Sequence, residues 1–387
     1  MLQSAHLHRY KYLWSKCQKE ETIIAAWKKL RKGKTRRREV RAIEANFMEH
    51  VRRMQAMLSE TRPNGNPELM FIPEYQKPKF IVEHGKEREI YRPNIWDQWV
   101  HHIVVYVLCP ILVRHSYPYS CGSMPKRGGV YGKKVLERHI RSKYGFRYFA
   151  KLDIRHFFNS INIKFVIHRL AVLIADSWFL FLIERIFMWF KNKMPLGYYP
   201  SQWFANFVLS PLDWAIARTR PICYVRYVDD MVICSSNKRK LHKLIGYIAH
   251  LLGKIHLRLK GNYQVIKFDI QRSEGYRHKG RPIDYMGFVF QRKHTIIRKS
   301  IFFRTTAFAR HLHSLPVISC GQAQSMLSRS GWFKHTDTKY TWYVLIRPCI
   351  SVKSLKNIVR KYQRRVDNEN FLDYRTSHSE AGDLRAA

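Results

Sequence analysis

The sequence predicts an α+β fold in which a small antiparallel sheet is backed by helices. Three observations carry this. Apolar, β-prone runs at 149–154, 223–228, 231–235 and 288–290 are separated by helical stretches near 164–190, 201–218 and 238–254. Two of those runs are joined at Asp229-Asp230, a connection short enough for a hairpin. The flanking regions, 1 to about 70 and 296 to about 370, read as helical and basic.

Taken in order, residues 1–70 form a basic helical segment whose densest charge comprises Lys28, Lys29, Arg31, Lys32, Arg36, Arg37 and Arg38. Such a run is either a solvated helix face or an arm that contacts phosphates, and the charge of the whole chain favours the arm. The loop signal Arg-Pro-Asn-Gly-Asn-Pro at 62–67 closes the segment. Residues 71–150 alternate short β-prone pieces with turns. The runs 80–82 and 89–91 flank His84-Gly85-Lys86 and read as a hairpin. A helix is predicted from about Asp97 to Leu108, stopping at Pro110. Residues 118–132, rich in Gly, Pro and Ser with Lys126 and Arg127, read as a flexible basic loop. Residues 151–295 hold most of the strand signal, 296–376 are helical, and the polar tail 377–387 is expected to fray.

Composition narrows the class of partner. In 387 residues, 46% are hydrophobic and 14% aromatic, so the chain can bury a core and is no disordered polybasic tail. Seventy Lys and Arg against 28 Asp and Glu leave a net charge of +42. A folded body so charged repels itself unless a polyanion is present, and nucleic acid fits better than a membrane surface. The seven cysteines are odd in number and none are spaced Cys-x-x-Cys. Neither a disulfide framework nor a zinc knuckle is indicated, and a reducing cytoplasm is expected. The first residues lack an apolar signal-peptide core. The most apolar stretch, 170–190, is interrupted by Asp176, Glu184 and Arg185, and reads as a buried helix, not a membrane span.

The chemistry is concentrated in three places. Asp229 and Asp230 stand between two apolar runs, where acidic residues belong in the turn. Two adjacent carboxylates repel, and keeping both ionised calls for a cation; hard divalent ions prefer such oxygen ligands. Alone, this is also what an ordinary hairpin turn carries. Asp153 ends another apolar run, as a third ligand or as a helix N-cap. Three such carboxylates can converge on two metals that clamp an in-line displacement at phosphorus. The third place is Pro195-Leu196-Gly197, a turn leading into a helix with Ser201 as its expected N-cap.

In order, the chain shows Asp-x-x-x-Phe-Phe from 153, Pro-Leu-Gly-x-x-x-Ser-Gln-x-x-Ala-Asn from 195, Tyr-Val-Asp-Asp from 227 and Tyr-Met-Gly-Phe from 285. This ordered set resembles the bacterial reverse transcriptases, over about residues 75–295. Upstream, 85–90 is similar to the basic fingers hairpin of that family, and 96–100 to the helix after it. Ser116-Tyr117-Pro118-Tyr119-Ser120 is similar to its Ser-Tyr-x-x-Arg loop, with the Arg absent.

The resemblance implies a right-hand polymerase: fingers at 71–150, a ferredoxin-like antiparallel palm at 151–295 and a helical thumb at 296–376. It implies RNA-directed DNA polymerase activity with two Mg²⁺ ions, Mn²⁺ able to substitute. Asp153, Asp229 and Asp230 would be the catalytic and metal-binding carboxylates. Lys86, Arg88, Ile154, Phe158, Leu196, Gly197, Gln202 and Tyr227 would bind the nucleotide, with Phe158 excluding a 2′-hydroxyl. Met286 and Gly287 would grip the primer, and Lys260 is a candidate proton donor to the leaving pyrophosphate. Arg304 and Arg310 would join Lys126, Arg127 and the N-terminal cations on nucleic acid. The implied partners are an RNA template, a DNA or RNA primer and a cognate non-coding RNA, with room for an accessory protein subunit. Leu196 stands where many relatives carry Gln, a pattern similar to error-prone diversity-generating retroelement enzymes and shared in part with antiphage defence enzymes. A rival of another class is an RNA-binding scaffold on an inactive polymerase fold. The three carboxylates argue against it.

Overall fold

The computed structural model describes residues 9–59, 71–83, 85–142, 145–190, 192–268 and 280–365. The loop signal at 62–67 and the tail from Ser377 lie outside them. The chain falls into two compact units, one built from Met1–Gly132 and Ala150–Val265, the other from Lys133–Phe149 and Ile266–Ala387.

Four helices come first: α1 (Leu13–Gln18), α2 (Glu20–Leu30), α3 (Arg38–Ala45) and α4 (Phe47–Ser59). Helix α2 buries Ile23, Ala26, Trp27 and Leu30 on one face and leaves Lys28 and Lys29 in solvent. The hairpin β1 (Lys79–Glu83) and β2 (Lys86–Ile90) pairs Glu83 with Lys86 and Lys79 with Ile90. Next comes α5 (Ile95–His115), which Asn94 caps through the Asp97 amide.

Helix α5 does not stop at Pro110 as the sequence predicts. Pro110 and Tyr106, whose carbonyl the proline leaves without its helical donor, both face solvent, where water can serve that carbonyl. Leu108, Ile111 and Leu112 are buried on the other side and hold the helix through the break. The helix is long and apolar enough by composition to cross a membrane, yet 67% of its apolar window is buried inside the protein. Trp99 anchors α2 to it: its ring lies 4.6 Å from that of Trp27 and its Nε1 donates to the Ile23 carbonyl at 2.9 Å.

The segment 118–132 is more ordered than its composition suggests. It contains β3 (Ser120–Cys121) and opens α6 (Gly129–Ile140). Then follow β4 (Tyr148–Asp153), α7 (Phe157–Ser160), α8 (Ile163–Leu173), α9 (Ser177–Ile186), α10 (Tyr199–Arg218), β5 (Cys223–Tyr227), β6 (Asp230–Ser235), α11 (Lys238–Gly253) and β7 (Gln264–Lys267). The single helix expected over 164–190 is two. Asp176 makes the break, capping α9 through the Phe179 amide while accepting from the Trp14 amide of α1. The strands form one sheet in the order β3-β5-β6-β4-β7. Taken from β4 to β7, the βαββαβ succession with β4 and β6 at the centre is the ferredoxin-like arrangement of a palm. Strand β3 adds to its edge, parallel to β5, pairing Ser120 with Arg226 and Cys121 with Tyr227.

Helix α10 is buried on almost every side, and it carries Asp213, fully buried. Its partner is Arg226 on β5, also fully buried. Arg226 Nε and Nη2 donate to Asp213 Oδ1 and Oδ2 at 2.7 and 2.6 Å, a two-pronged pairing. Nη2 also donates to Ser120 Oγ of β3 at 2.7 Å, and Nη1 to Asn206 Oδ1 of α10 at 2.9 Å. Tyr224 Oη adds a bond to Asp213 Oδ1 at 2.6 Å. One guanidinium thus joins helix, central hairpin and edge strand.

The second unit carries a three-stranded antiparallel sheet, β8 (Ile283–Tyr285), β9 (Phe288–Phe290) and β10 (Thr295–Ile297), then α12 (Lys299–Ser314), α13 (Cys320–Lys334) and α14 (Lys339–Thr341). A π-helical turn, Trp342–Ile346, and a helix over 352–365 complete it. Its core gathers Ala309, Leu312, Met326, Phe333, Ile346 and Leu355. Ser319 and Gln322 form a capping box on α13.

Truncating Asp213 to Ala leaves the Arg226 charge buried and unpaired, which is expected to cost about 3–5 kcal/mol. Denaturant unfolding measures this. A loss under 1 kcal/mol would show that the pair does not hold the sheet to α10.

Candidate active site

The loop between β5 and β6 has two residues, Val228 and Asp229, because Tyr227 pairs with Asp230. The turn sits one residue earlier than the sequence suggests: Asp230 opens β6 instead of lying in the turn. Val228 has φ of 57°, a left-handed conformation that a β-branched residue rarely adopts and that costs about 1–3 kcal/mol. Its backbone is held from both sides. The Val228 amide donates to the Cys121 carbonyl at 3.2 Å, and Arg226 Nη1 donates to the Val228 carbonyl at 2.6 Å. Gly122 leaves room for this turn, since a Cβ there would lie 2.9 Å from Val228 Cγ2.

Asp153 ends β4, the neighbour of β6 in the sheet. The segment 258–260 runs antiparallel beside it: the Arg155 amide donates to the Arg258 carbonyl and the Lys260 amide to the Asp153 carbonyl, each at 2.8 Å. That register brings Lys260 Nζ to 2.5 Å from Asp153 Oδ2. Asp153 Oδ1 is buried without a hydrogen-bond partner. Burial, then the charge of Asp153, and more weakly that of Asp230, push the Asp229 carboxyl up to about 6. Among the described residues no three His, Cys, Asp or Glu side chains form a ready-made metal cluster. The three carboxylates nonetheless fit divalent cations by their chemistry: all are hard oxygen donors, one buried oxygen is orphaned, and a cation would relieve the strain on Asp229.

Asp229 and Lys260 line a cleft of about 720 Å³, whereas Asp153 and Asp230 are not among the residues that line it. Of the predicted site residues, Arg88, Ile154, Phe158, Leu196, Asp229 and Lys260 line it. Phe158 is half-buried against Phe157, and its carbonyl accepts from the Met194 amide at 3.0 Å. Gly197 passes so close to β2 that a Cβ would lie 2.0 Å from the Tyr91 carbonyl oxygen, and its φ is 100°. The Tyr91 amide donates to the Leu196 carbonyl at 2.8 Å, so this turn is bonded to the base of the hairpin. Ser201 is not the N-cap expected of it. It lies inside α10, whose N-cap is Tyr198, and donates its hydroxyl to the Pro195 carbonyl at 2.6 Å.

Other predicted residues stand apart from the cleft walls. Gln202 accepts from Ser123 Oγ, and together with Gly197 lines a smaller cavity of about 250 Å³ that Phe158 and Leu196 separate from the cleft. Tyr227 is partly exposed beside the turn. The backbone of Lys86 opens β2. Lys28, Lys29, Lys32, Arg37 and Arg38 are exposed, Arg36 is half-buried, and Arg31 is paired with Glu44. Lys126 is exposed. Arg127 is half-buried and donates to Ser116 Oγ and the Tyr117 carbonyl, bracing the loop that lacks the family's own Arg. In the second unit, Met286 and Gly287 form the two-residue turn between β8 and β9, both with positive φ, and Arg304 and Arg310 are exposed on α12. Trp332 packs on Phe288 at 4.9 Å and beneath Gly287, half-buried against the core.

Sequence reasoning missed Arg226, Asp213 and Lys34. Lys34 lines the smaller cavity and donates to Gln98 at 2.9 Å. A signal for the first two exists. An Arg inside the apolar run 223–228 requires a counter-charge, and Asp213 is the one acidic residue between Glu184 and Asp229.

Residues 76–290 match the family "Reverse transcriptase (RNA-dependent DNA polymerase)". No curated protein matches the sequence. Among solved structures, the chain is similar to apo telomerase from Candida tropicalis at 12% identity and a TM-score of 0.45, over 76% of this chain and 58% of that one. It is similar to telomerase from Candida albicans in complex with a TWJ fragment of telomeric RNA at 11% identity and a TM-score of 0.43, over 78% and 59%. The chain thus spans less than two thirds of the length of these structures.

The raised pKa of Asp229 means that the folded state binds this proton more tightly than the unfolded state. Without metal, the stability that this one group contributes is therefore fully present below about pH 4 and is lost as pH rises through about 6. Asp229→Asn removes that loss. In chelator at pH 7.5 the variant should melt a few degrees above wild type, about 1–2 kcal/mol, with the gap closing near pH 4. Added Mg²⁺ should raise the melting temperature of wild type more than that of the variant. Identical melting at pH 7.5 would refute the electrostatic strain.

Proposed function

The chain belongs to the reverse transcriptase family, and on that premise we propose that it is an RNA-directed DNA polymerase adding deoxynucleotides to a 3′-hydroxyl. The observation that carries this reading is the gathering of Arg88, Phe158, Leu196, Asp229 and Lys260 around one cleft beside Asp153. Divalent cations, Mg²⁺ or Mn²⁺ in its place, held by Asp153, Asp229 and Asp230, would neutralise the reacting phosphates and ease deprotonation of the 3′-hydroxyl.

The protein's own residues do the rest. Arg88, with Lys86 on the same strand, binds the triphosphate as a cationic donor. Phe158, fixed by Phe157 and by the bond from Met194, fills the space that a 2′-hydroxyl would need. Ile154, Gly197, Gln202 and Tyr227 complete the nucleotide site. Lys260 stands where it can donate a proton to the leaving pyrophosphate once it parts from Asp153. In this reading 71–150 are the fingers, 151–295 the palm and 296–376 the thumb, and Met286 and Gly287 grip the primer. The exposed cations of 28–38, with Lys126, Arg304 and Arg310, hold a cognate RNA. The setting is cytoplasmic, and an accessory subunit is compatible with it.

Leu196 supports a finer proposal, low-fidelity copying of a dedicated RNA in a diversity-generating retroelement. Its side chain lines the cleft without the amide that Gln would offer the incoming nucleotide, so geometric selection is loosened. Antiphage defence with a non-coding RNA would use the same site. A near-repeat pair with adenine-directed differences beside the gene favours diversification; an isolated gene beside a structured RNA favours defence.

Primer extension on an RNA template with dNTPs and Mg²⁺ tests the activity. Asp229→Ala/Asp230→Ala should lower extension on the order of 10³-fold or more. Equal extension by wild type and variant would sink the proposal, and none by wild type would favour a missing partner first and the RNA-binding scaffold second. Phe158→Val should raise ribonucleotide use relative to deoxynucleotide use about 10- to 100-fold. Sequenced products of Leu196→Gln should carry fewer errors than those of wild type; equal error rates would refute the fidelity argument.

A further inference from the structure

The hairpin of β5 and β6 has a second end. The catalytic turn caps one end; the other opens on a cavity of about 450 Å³, within the range of small-molecule and nucleotide sites. It is lined by residues just before β5, residues at the end of β6 and one side of α11. Five residues of strand separate it from Val228, about 17 Å at strand rise. It shares no wall with the active-site cleft.

Its chemistry is one-sided. Arg220, Lys240 and Lys243 line it, and no acidic residue does. Among the described residues these three side chains make no hydrogen bond or ion pair. The surrounding sequence keeps it so: from Trp214 to Phe268 the only acidic residues are Asp229 and Asp230, at the far end of the hairpin. Arg220 adds an independent observation. It follows the C-cap of α10 with φ of 51°, the left-handed position where helices usually place Gly. An Arg there is conformationally costly, and its side chain lines the cavity. Tyr247 lines the same wall, 42% exposed, and Ser236 supplies a hydroxyl beside Ser235, whose Oγ is bonded to the Asn237 backbone. Three cations, a hydroxyl and an exposed aromatic ring are the parts with which proteins hold a single-stranded nucleic acid, phosphates on the cations and a base on the ring.

We propose that this cavity at the base of the palm hairpin is a second RNA site, which holds a single-stranded segment of the RNA outside the template–primer path, its phosphates on Arg220, Lys240 and Lys243 and one base against Tyr247. The proposal rests on the polymerase reading only in taking RNA as the polyanion.

The test compares Arg220→Gly/Lys240→Gln/Lys243→Gln with a charge-matched control, Lys11→Gln/Lys16→Gln/Lys164→Gln, in the full chain. Gly suits the left-handed position and Gln suits an exposed helix, so the fold is preserved. Binding of a 30-nucleotide unstructured RNA is measured by fluorescence anisotropy across a salt series. Extension of a short primer–template hybrid is measured in parallel. The cavity variant should lose about 2 from the slope of log affinity against log salt, while the control loses less than half as much. Tyr247→Ala should weaken binding about 5- to 100-fold. Extension of the short hybrid should change less than twofold in all variants. An unchanged slope, or equal losses in cavity variant and control, overturns the proposal. Because binding is read without turnover, a wild type that binds RNA but extends nothing indicts the polymerase reading and leaves this one standing.

Discussion

Everything at the centre of the first unit depends on one buried charge having a partner. Arg226 stands in the middle of a strand where water cannot reach, and its five donor groups must be used or the strand could not be buried. Asp213 takes two of them and neutralises the charge. Ser120, Asn206 and the Val228 carbonyl take what is left. These partners sit on three different pieces of chain, so satisfying one side chain fixes α10, β3 and the Val228-Asp229 turn relative to β5. The unusual backbone of Val228 survives because a donor and an acceptor on opposite sides over-determine it.

The same logic extends to the carboxylates at the end of the hairpin. Asp229 is raised on a strained turn into a partly buried place beside two other carboxylates, an arrangement unfavourable in itself. Lys260 offsets part of this by pairing with Asp153 across a backbone register that the chain sets independently. A site made of mutually repelling acids with one movable cation is primed for positively charged ligands, and the tight packing of the turn prevents it from relaxing away from them.

Part of the site was legible in the sequence because chemistry restricts it to few residue types, while Glu87, Glu89, Arg155 and His156, which also line the cleft, were not read as site residues. Asp153, Phe158, Leu196 and Asp229 fall in short motifs whose order along the chain is informative. The βαββα order from β4 to α11 was legible for a similar reason, since strands and helices differ in apolar period; β7 was not, because it is four residues long, lies at the sheet edge and buries none of its side chains fully. Less legible was whatever depends on tertiary partners. Pro110 stops a helix on local grounds, yet burial of Leu108, Ile111 and Leu112 carries α5 through it. Asp176 interrupts the apolar stretch in the sequence yet does not announce a helix break there, because the deciding signal is a cap shared with Trp14 of a distant helix. Ser201 looked like a cap because its neighbours are Gly and Pro, whereas its hydroxyl serves the Pro195 carbonyl. The pairing of Arg226 with Asp213 was open to deduction from charge balance alone, but only if burial of that strand is taken for granted.

The bond from Tyr91 to Leu196 has a mechanical reading. Among the described residues the two-stranded hairpin of β1 and β2 pairs with no other strand, and such hairpins are marginal alone. Its base is clamped: Tyr91 to Leu196, Glu89 to Lys193 and Tyr91, and Gly197 against the Tyr91 backbone. The hairpin is therefore a lever with a fixed fulcrum, its backbone amides increasingly open to exchange with solvent toward Gly85. Arg88 lies partway along it. An anionic ligand that drew Arg88 inward would turn the lever about the very turn that carries Leu196, so two residues of one cleft wall would move as one piece.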